Sequence, residues 1–264
     1  HFVNAYCPRL KLQGTWDLTL ASLTSSKRSS LKRVQRKIDS DFKVELHMVT
    51  DPEQLLHDFS EFIDLHQRRW NGTGHSGVFA DARTASFHRE ISELSLQRKW
   101  LFLAFLLLDG KRIAANYGFI YRKELYYYLS GIEMQGELAK YSLGRVLHLY
   151  SIAEAIKQGI EVYDFMRGTE RYKYDFNSVN VTNWTILMYA NKIGFAQHKF
   201  KIVLLIDSMK RRAARERLLW SQVSKEQRAH SGGLAVHIAR RIRTNIMDGI
   251  QKLRSPEKSI TNGE

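Results

Sequence analysis

The first half of the chain alternates between two hydrophobic periods. Residues 16–38 place apolar side chains at helical spacing, and the same spacing predicts helices over 51–70 and 81–98. Residues 43–49 instead alternate between apolar and polar side chains, which predicts a strand. The last of the three helices is expected to bury its apolar positions, which are Phe87, Ile91, Leu94 and Leu96.

The second half of the chain is richer in strands. Asp109-Gly110 marks a two-residue hairpin turn, and Gly159 marks the end of a helix. The predicted elements, in order, are strands over 100–108, 113–121 and 125–132, a helix over 142–158, and strands over 162–165 and 182–190. The crossover that joins 125–132 to 162–165 should be parallel and right-handed. The pattern therefore predicts an α/β fold, with a mixed central sheet and helices on both faces.

The composition is that of an ordinary globular protein, with 264 residues of which 44% are hydrophobic and 26% are charged. Cys7 is the only cysteine, so an internal disulfide and a Cys-rich zinc site are excluded, and no metal is expected. The longest apolar run, 100–108, is too short to span a bilayer. These features favour a cytoplasmic protein. Because the chain begins at His1 rather than Met, we expect a further domain upstream.

The net charge of +14 is confined to two segments. Residues 27–37 carry six basic and no acidic side chains, and the tail 208–264 carries thirteen basic and five acidic ones. The tail also repeats Leu or Ile every four residues from 234 to 250, which predicts a basic amphipathic helix. Such a helix would lie on a membrane surface or against a partner, although packing against its own domain is the commoner outcome. We therefore expect a linker with a basic helix (1–40), a central domain (41–207) and this tail.

A loop at 139–145 carries residues suited to binding an anion at the start of the helix at 142–158. Backbone N–H groups at a helix N-terminus attract phosphates, and a glycine there allows close approach. The candidate cofactor-binding residues are Lys140, Ser142, Leu143, Gly144 and Arg145. The simpler alternative is that Ser142 only caps the helix.

The stretch after the strand at 162–165 alternates charged and aromatic residues. Ligands of open α/β sheets bind beyond the carboxyl ends of the parallel strands, so Asp164, Arg167 and Glu170 would lie beside the anion-binding helix. Each of them alone is more often part of a structural salt bridge. Their clustering nevertheless marks this edge of the sheet as the candidate site.

These motifs resemble a known family. LYYYLSGI (125–132), KYSLGRVLHLYSIAEAIKQGIEVYDF (140–165) and MRGTERYKYDF (166–176) are similar to GNAT-type acyltransferases related to the CelD-like proteins of cellulose-synthesis loci, which are kin of the Fem-type peptidoglycan aminoacyltransferases. The similarity covers about residues 7–190. It implies a GNAT fold, acyl-CoA as co-substrate and a second GNAT-like half upstream. The family's pyrophosphate loop falls on 140–145, where only one of the two usual small positions, Gly144, is clear.

The mechanism that the resemblance implies is direct transfer. A general base takes a proton from the acceptor, the acceptor attacks the thioester, and backbone N–H groups near 125–132 stabilise the oxyanion. The candidate catalytic residues are Glu170 or Asp164 as the base, His88 as a third choice, and Tyr172 or Tyr141 as the acid that protonates the thiolate. The candidate substrate-binding residues are Arg167, Lys173, His88 and Trp70. The acceptor would be an amine or hydroxyl, for example in a polysaccharide or cell-envelope precursor.

Two alternatives stay open on the sequence. A Fem-type enzyme would take its acyl group from aminoacyl-tRNA, and residues 27–37 would suit the phosphates, but no sustained heptads predict the coiled-coil arm that such enzymes commonly carry. A non-catalytic module with the same fold would use its basic tail on nucleic acid or an anionic membrane. Transfer from acyl-CoA is the primary prediction, in the cytoplasm or at the periphery of the inner membrane, with no nucleic acid partner.

Overall fold

A computed structural model describes residues 2–71, 76–133 and 136–185. Its strands are β1 (Phe2–Lys11), β2 (Val44–Met48), β3 (Leu101–Leu108), β4 (Lys111–Tyr121), β5 (Glu124–Ile132), β6 (Val162–Asp164) and β7 (Val179–Thr185). Its α-helices are α1 (Trp16–Ala21), α2 (Ser25–Asp41), α3 (Leu55–Asn71), α4 (Ala82–Gln97) and α5 (Leu143–Lys157). Short 3₁₀ helices span Val78–Ala80, Gly136–Tyr141 and Arg171–Phe176. The predicted tail at 208–264, and residues 186–190 of the last predicted strand, lie outside the described residues.

The described strands form one mixed sheet in the order β2-β3-β4-β5-β6-β1-β7. β5 and β6 pair in parallel, whereas all the other neighbours are antiparallel. This confirms the predicted mixed sheet, and the parallel pair is the one that α5 connects. The β3–β4 hairpin turns at Asp109 and Gly110, whose φ angles of 48° and 79° suit an Asp-Gly turn.

The N-terminal segment departs from the prediction. β1 lies between β6 and β7 and pairs antiparallel with both. Pro8 obscures this strand in the sequence, because a proline lacks the N–H donor of a central strand. The single helix predicted over 16–38 is wrong, since residues 22–24 separate α1 from α2. Thr15 caps α1 by accepting a hydrogen bond from Leu18 N at 3.2 Å, and Thr24 occupies the N-cap position of α2.

Helices cover both faces of the sheet, as predicted. α3 and α4 pack on one face, where Phe59, Phe62 and Phe105 are fully buried. α1, α2 and α5 pack on the other face, over a second cluster that includes Phe102 and Tyr163. Within the described part of the chain, no helix combines the length and the apolar character needed to cross a membrane.

The buried face of α4 is not the one predicted. Phe87 and Leu94 are 58% and 49% exposed, whereas Ile91 and Leu96 are half-buried. The positions that face the core recur at helical spacing too, but they carry small or polar side chains, namely Ala85, His88, Ser92 and Ser95. Small side chains allow the helix to pack closely, so counting only apolar residues selects the wrong face.

The parallel strands β5 and β6 separate after a short contact. Only Glu124–Tyr126 of β5 pairs with β6, whereas β5 itself continues to Ile132. β5 also contains a bulge at Tyr128, since Tyr117 and Gly118 of β4 face Leu129 and Tyr127 on either side of it. Beyond Tyr126 the edge of β5 that faces β6 is therefore free to line a cleft.

Gly131 brings α3 against β5 at this place. A Cβ atom on Gly131 would lie 2.6 Å from Leu65 Cβ and 2.7 Å from the backbone nitrogen of His66. Only a glycine permits so close an approach. The contact places the last turn of α3 beside the open edge of β5.

Candidate functional site

A cleft of about 260 Å³ opens where β5 and β6 separate. Its walls come from the end of α3, the second half of β5, the first turns of α5 and the 3₁₀ turn Arg171–Phe176. The polar side chains that line it are Arg69, Tyr127, Ser130, Glu133, Ser142, Arg145, His148 and Tyr172. The cleft therefore brings together a helix N-terminus, a group of hydroxyls, a cation and a carboxylate.

The N-terminus of α5 forms one end of the cleft. Ser142 has a φ of 51° and its exposed side chain makes no capping hydrogen bond, so the simple capping role is not observed. Arg145 N and Val146 N donate to Ser142 O at 2.8 and 3.3 Å, and the N–H groups before them have no acceptor within the helix. A Cβ atom on Gly144 would meet only Ile132 Cδ1, at 3.4 Å. This end leaves room for a phosphate group, and phosphate binding there stays a prediction.

The lysine side chains at this end of the cleft lie against Tyr141. Lys140 is exposed, and its ammonium lies 5.1 Å from the centre of the Tyr141 ring. Lys37 of α2 lies at the same distance from that ring and donates to Lys140 O at 3.4 Å. The Tyr141 hydroxyl donates to Asp41 at 2.6 Å, which raises the pKa of this tyrosine and ties it to α2 rather than to the cleft.

Arg145 has partners of its own. Its Nε lies 3.1 Å from the carboxylate of Asp175, and its terminal nitrogen donates to Ser30 Oγ at 3.0 Å. Arg145 thus lines the cleft while it joins α5 to α2 and to the turn before β7. Its charge is largely balanced within the fold.

A chain of hydroxyl groups occupies the other end of the cleft. The Tyr172 hydroxyl is hydrogen-bonded to that of Tyr127, which donates to Ser130 Oγ at 3.0 Å. Arg69 donates to the same Ser130 Oγ at 3.1 Å. Burial raises the pKa of both Tyr127 and Tyr172, so both phenols are neutral near pH 7. Of these four residues, only Tyr172 was a predicted site residue.

His148 lies under this chain and was missed by the sequence analysis. Its ring stacks on Tyr172 with 5.3 Å between centroids and 15° between planes, and its Nδ1 lies 2.9 Å from the Tyr163 hydroxyl. Burial, helped by the charges of Lys173 and Arg69, lowers the pKa of His148 to about 3. The imidazole is therefore neutral at physiological pH. A lone histidine within the predicted helix at 142–158 gave no signal of this position.

The loop 166–173 holds most of its own charges. Lys173 is 3% exposed, donates to Arg167 O at 2.8 Å and forms an ion pair with Glu170 at 2.9 Å. Gly168 has a φ of 111°, and a Cβ atom there would lie 2.5 Å from the Glu170 carboxylate. The Arg167 side chain is exposed. None of these residues lines the cleft, so their predicted roles in catalysis and substrate binding stay predictions.

Asp164 ends β6 away from the cleft lining. It is 7% exposed, lies 3.2 Å from Arg9 Nε and accepts a hydrogen bond from Met166 N at 2.7 Å. Burial raises its pKa despite the charge of Arg9. Arg9 also contacts Glu124. The Asp164 carboxylate therefore belongs to an ion-pair group where β5 and β6 pair. Its role as a catalytic base stays a prediction.

Comparison with known proteins decides the family. A profile described as an acetyltransferase (GNAT) domain matches residues 25–174, more than half of the chain. The chain belongs to the GNAT acetyltransferase family. A search of curated proteins finds no significant match. The more specific resemblance to the CelD-like proteins stays a prediction.

Several solved structures are similar to this GNAT domain in fold. FemX matches with a TM-score of 0.51 at 11% identity, over 68% of this chain and 60% of that one. A conserved protein from Bacteroides thetaiotaomicron matches with a TM-score of 0.48 at 11% identity, over 67% of this chain and 57% of that one. L-PGS from Bacillus licheniformis matches with a TM-score of 0.46 at 14% identity, over 69% and 59%. This chain thus spans less than two thirds of those proteins.

The two remaining predicted residues of the GNAT domain lie on α3 and α4. Trp70 follows Arg69, whose guanidinium lies 6.0 Å from its ring centre. His88 packs on the face of the sheet that α3 and α4 share, with its Nδ1 3.3 Å from the Tyr117 hydroxyl, and burial lowers its pKa. Trp70 is therefore adjacent to the cleft, whereas the structure places His88 in the core between α4 and β4.

A group of potential metal ligands on α3 is held by an arginine. Within the described ranges, His57, Asp58 and Glu61 have ligand atoms close enough to share an ion. Arg112 of β4 donates to Asp58 at 2.6 Å and also contacts Glu61. The guanidinium already binds both carboxylates, so the group is explained as a structural ion-pair network.

Proposed function

We propose that this protein transfers an acyl group from acyl-CoA to an amine or hydroxyl acceptor bound in the cleft between β5 and β6. The observation that carries the proposal is the open N-terminus of α5, where Ser142 leaves the first N–H groups uncapped and Gly144 leaves room beside them. Those N–H groups would hold the pyrophosphate of coenzyme A. Lys37 and Lys140, which meet over Tyr141, would add positive charge at the rim.

Acyl-CoA would supply an activated thioester, and the chain's own residues would bind and deprotonate the acceptor. Glu133 follows β5 directly, is held by a hydrogen bond from its N–H to Ile113 O at 2.8 Å, and lines the cleft. A carboxylate in this place is suited to accept the acceptor's proton. We therefore propose Glu133 as the general base. Tyr127 and Tyr172 would line the cleft as neutral phenols and exclude water from it.

Calorimetric titration with acetyl-CoA, longer acyl-CoAs and free CoA tests the cofactor site. Gly144→Glu would place a carboxylate where the phosphates bind, and we expect it to weaken binding by about 100-fold or more. Gly144→Ala is the matched control, because its methyl group would meet only Ile132 Cδ1 at 3.4 Å. Equal binding by wild type and Gly144→Glu would place the ligand elsewhere. Absence of binding to every CoA species would refute the proposal and favour a non-catalytic module.

A second candidate function is transfer from aminoacyl-tRNA, because the basic helix α2 lies beside the cleft. Ser30 of α2 accepts a hydrogen bond from Arg145 in the first turn of α5, and Lys37 donates to the carbonyl of Lys140, three residues before that helix. Lys32, Arg33 and Arg36 are exposed. Salt-dependent binding of charged tRNA, weakened when these three exposed basic residues are replaced by Gln, would support this donor. Unchanged binding in that variant would contradict it. Both donors are compatible with acceptors from the cell envelope and with a protein at the inner face of the membrane, which stay proposals.

A further inference from the structure

Arg69 brings a positive charge into the cleft, and no carboxylate of the described residues forms an ion pair with it. The residue is half-buried at the end of α3, and its described contacts are Ser130 Oγ at 3.1 Å and the ring of Trp70 at 6.0 Å. Among the ion pairs of the described residues, none involves Arg69, whereas the neighbouring Arg68 lies 3.8 Å from Glu133. A guanidinium has five N–H donors, and one of those of Arg69 is used among the described residues, so the others can serve a ligand.

Ser130 adds a directed hydroxyl donor beside this guanidinium. Its Oγ accepts hydrogen bonds from both Arg69 and Tyr127, at 3.1 and 3.0 Å. A serine oxygen has two lone pairs and one proton, so with both lone pairs occupied the hydroxyl proton is left to donate. The Ser130 carbonyl is already bonded to His66 Nδ1 at 2.9 Å. Ser130 lines the cleft, so its proton is available to an acceptor atom of a ligand there.

The charge of this corner selects the kind of anion. One guanidinium and one hydroxyl match the two oxygens of a carboxylate, which arginine binds through parallel hydrogen bonds. Glu133 lines the same cleft, and its negative charge would oppose a doubly charged phosphate ester. A ligand that pairs its carboxylate with Arg69 would bring a nearby amine towards Glu133.

We propose that Arg69 and Ser130 form a carboxylate subsite, so that the acyl acceptor is an amine of the amino-acid type. This rests on the acyl transfer proposed above and names its substrate class. The acceptor carboxylate binds Arg69 and the Ser130 hydroxyl, and its amine lies between Glu133 and the thioester. In the transfer, the C–N bond forms as the C–S bond breaks, and the proton lost by the nitrogen passes to Glu133 and ends on the released thiol.

Acceptor assays with matched pairs test the subsite. The proteinogenic L-amino acids, their C-terminal amides and O-phosphoethanolamine are each supplied with the acyl-CoA that binds best, and thiol release is followed. We expect kcat/KM for the best amino acid to exceed that for its amide by about tenfold or more, because a site built for a group rejects the analogue that lacks it. Arg69→Gln and Ser130→Ala should reduce this preference, whereas Arg83→Gln, a change of the same charge at an exposed position of α4, should preserve it.

The outcomes separate the subsite from the acyl transfer itself. Transfer to amides as fast as to amino acids, or an equal loss for both in Arg69→Gln, would overturn the subsite while leaving acyl transfer intact. A preference for O-phosphoethanolamine would show that the subsite binds phosphate instead and would overturn the carboxylate assignment. If no amine is acylated, thermal denaturation with the same ligands still tests whether the subsite binds a carboxylate. Stabilisation by amino acids, absent with amides and lost in Arg69→Gln, supports the subsite, and no stabilisation by any amino acid refutes it.

Discussion

Charged side chains have different surroundings in the cleft and in the adjoining loop 166–173. In the loop, Lys173 is almost completely buried and is bound by Glu170 and by the carbonyl oxygen of Arg167. In the cleft, the hydrogen bond that Arg69 makes among the described residues goes to Ser130 Oγ, which also accepts from the neutral Tyr127. The loop uses its ions to fix its own conformation, whereas the cleft keeps polar groups available for a ligand.

This difference teaches how a charged motif in the sequence should be interpreted. The set Arg167, Gly168, Glu170, Tyr172 and Lys173 is conspicuous because its charges are close together in the chain. Closeness in sequence also allows them to satisfy each other, as Lys173 and Glu170 do in their ion pair at 2.9 Å. Groups available to a ligand are instead those that packing brings together from different elements.

The largest expected effect separates the two carboxylates of these regions. Glu133→Gln in the cleft should lower kcat by about 100-fold or more, because the general base is lost, with acyl-CoA affinity retained. Glu170→Gln in the loop should leave kcat per folded molecule nearly unchanged. Steady-state kinetics on both variants, with titration of acyl-CoA as the control for folding, measure the contrast. A large loss of kcat in Glu170→Gln alone would instead support the base predicted from the sequence.

A smaller effect concerns the buried cation of the loop. Lys173→Met should lower the free energy of unfolding by about 2 kcal/mol, because three backbone carbonyl oxygens within 3.5 Å of its ammonium would lose their donor. Lys123→Met is the matched control: Lys123 also pairs with a glutamate, Glu161 at 2.8 Å, but both side chains are more than 60% exposed, at 68% and 65%. Urea denaturation should show little change in the control. Equal stability of the two variants would contradict a structural role for Lys173.

The sequence predicts well what local periodicity determines. α5 and the parallel pair that it connects both follow from one strand–helix–strand pattern, whereas anion binding at Ser142 and Gly144 stays a prediction. β1 was not predicted, because its partners β6 and β7 are more than 150 residues away in the chain. Pro8 also argues against a central strand in the sequence, since it lacks the backbone N–H donor. Tertiary pairing of this kind overrides local preference.

The candidate site is predictable only at its helix end. The other end is assembled from α3, β5 and α5, and it depends on the contact at Gly131 that brings Arg69 beside Ser130. In the sequence, Arg69 is one of two adjacent arginines, and periodicity does not tell which of them faces the sheet. Burial separates them: Arg69 is half-buried, whereas Arg68 is 59% exposed.

The smallest expected effect concerns the pH dependence of the free energy of unfolding, to which His148 in the cleft contributes. Burial holds the pKa of His148 at about 3, below its ordinary value of 6.5, so between these values the unfolded chain binds a proton that the folded protein does not. The stability contribution is therefore complete above the ordinary pKa and is lost as pH falls, by up to about 1.4 kcal/mol per pH unit. His148→Gln, measured by urea denaturation at about pH 7, 6 and 5, should lose this part of the slope. Burial lowers the pKa of His66 and His88 as well, so a shallower slope of the same sign should remain. An identical slope in His148→Gln and wild type would mean that His148 is protonated in the folded protein. The neutral imidazole stacked on Tyr172 would then be contradicted.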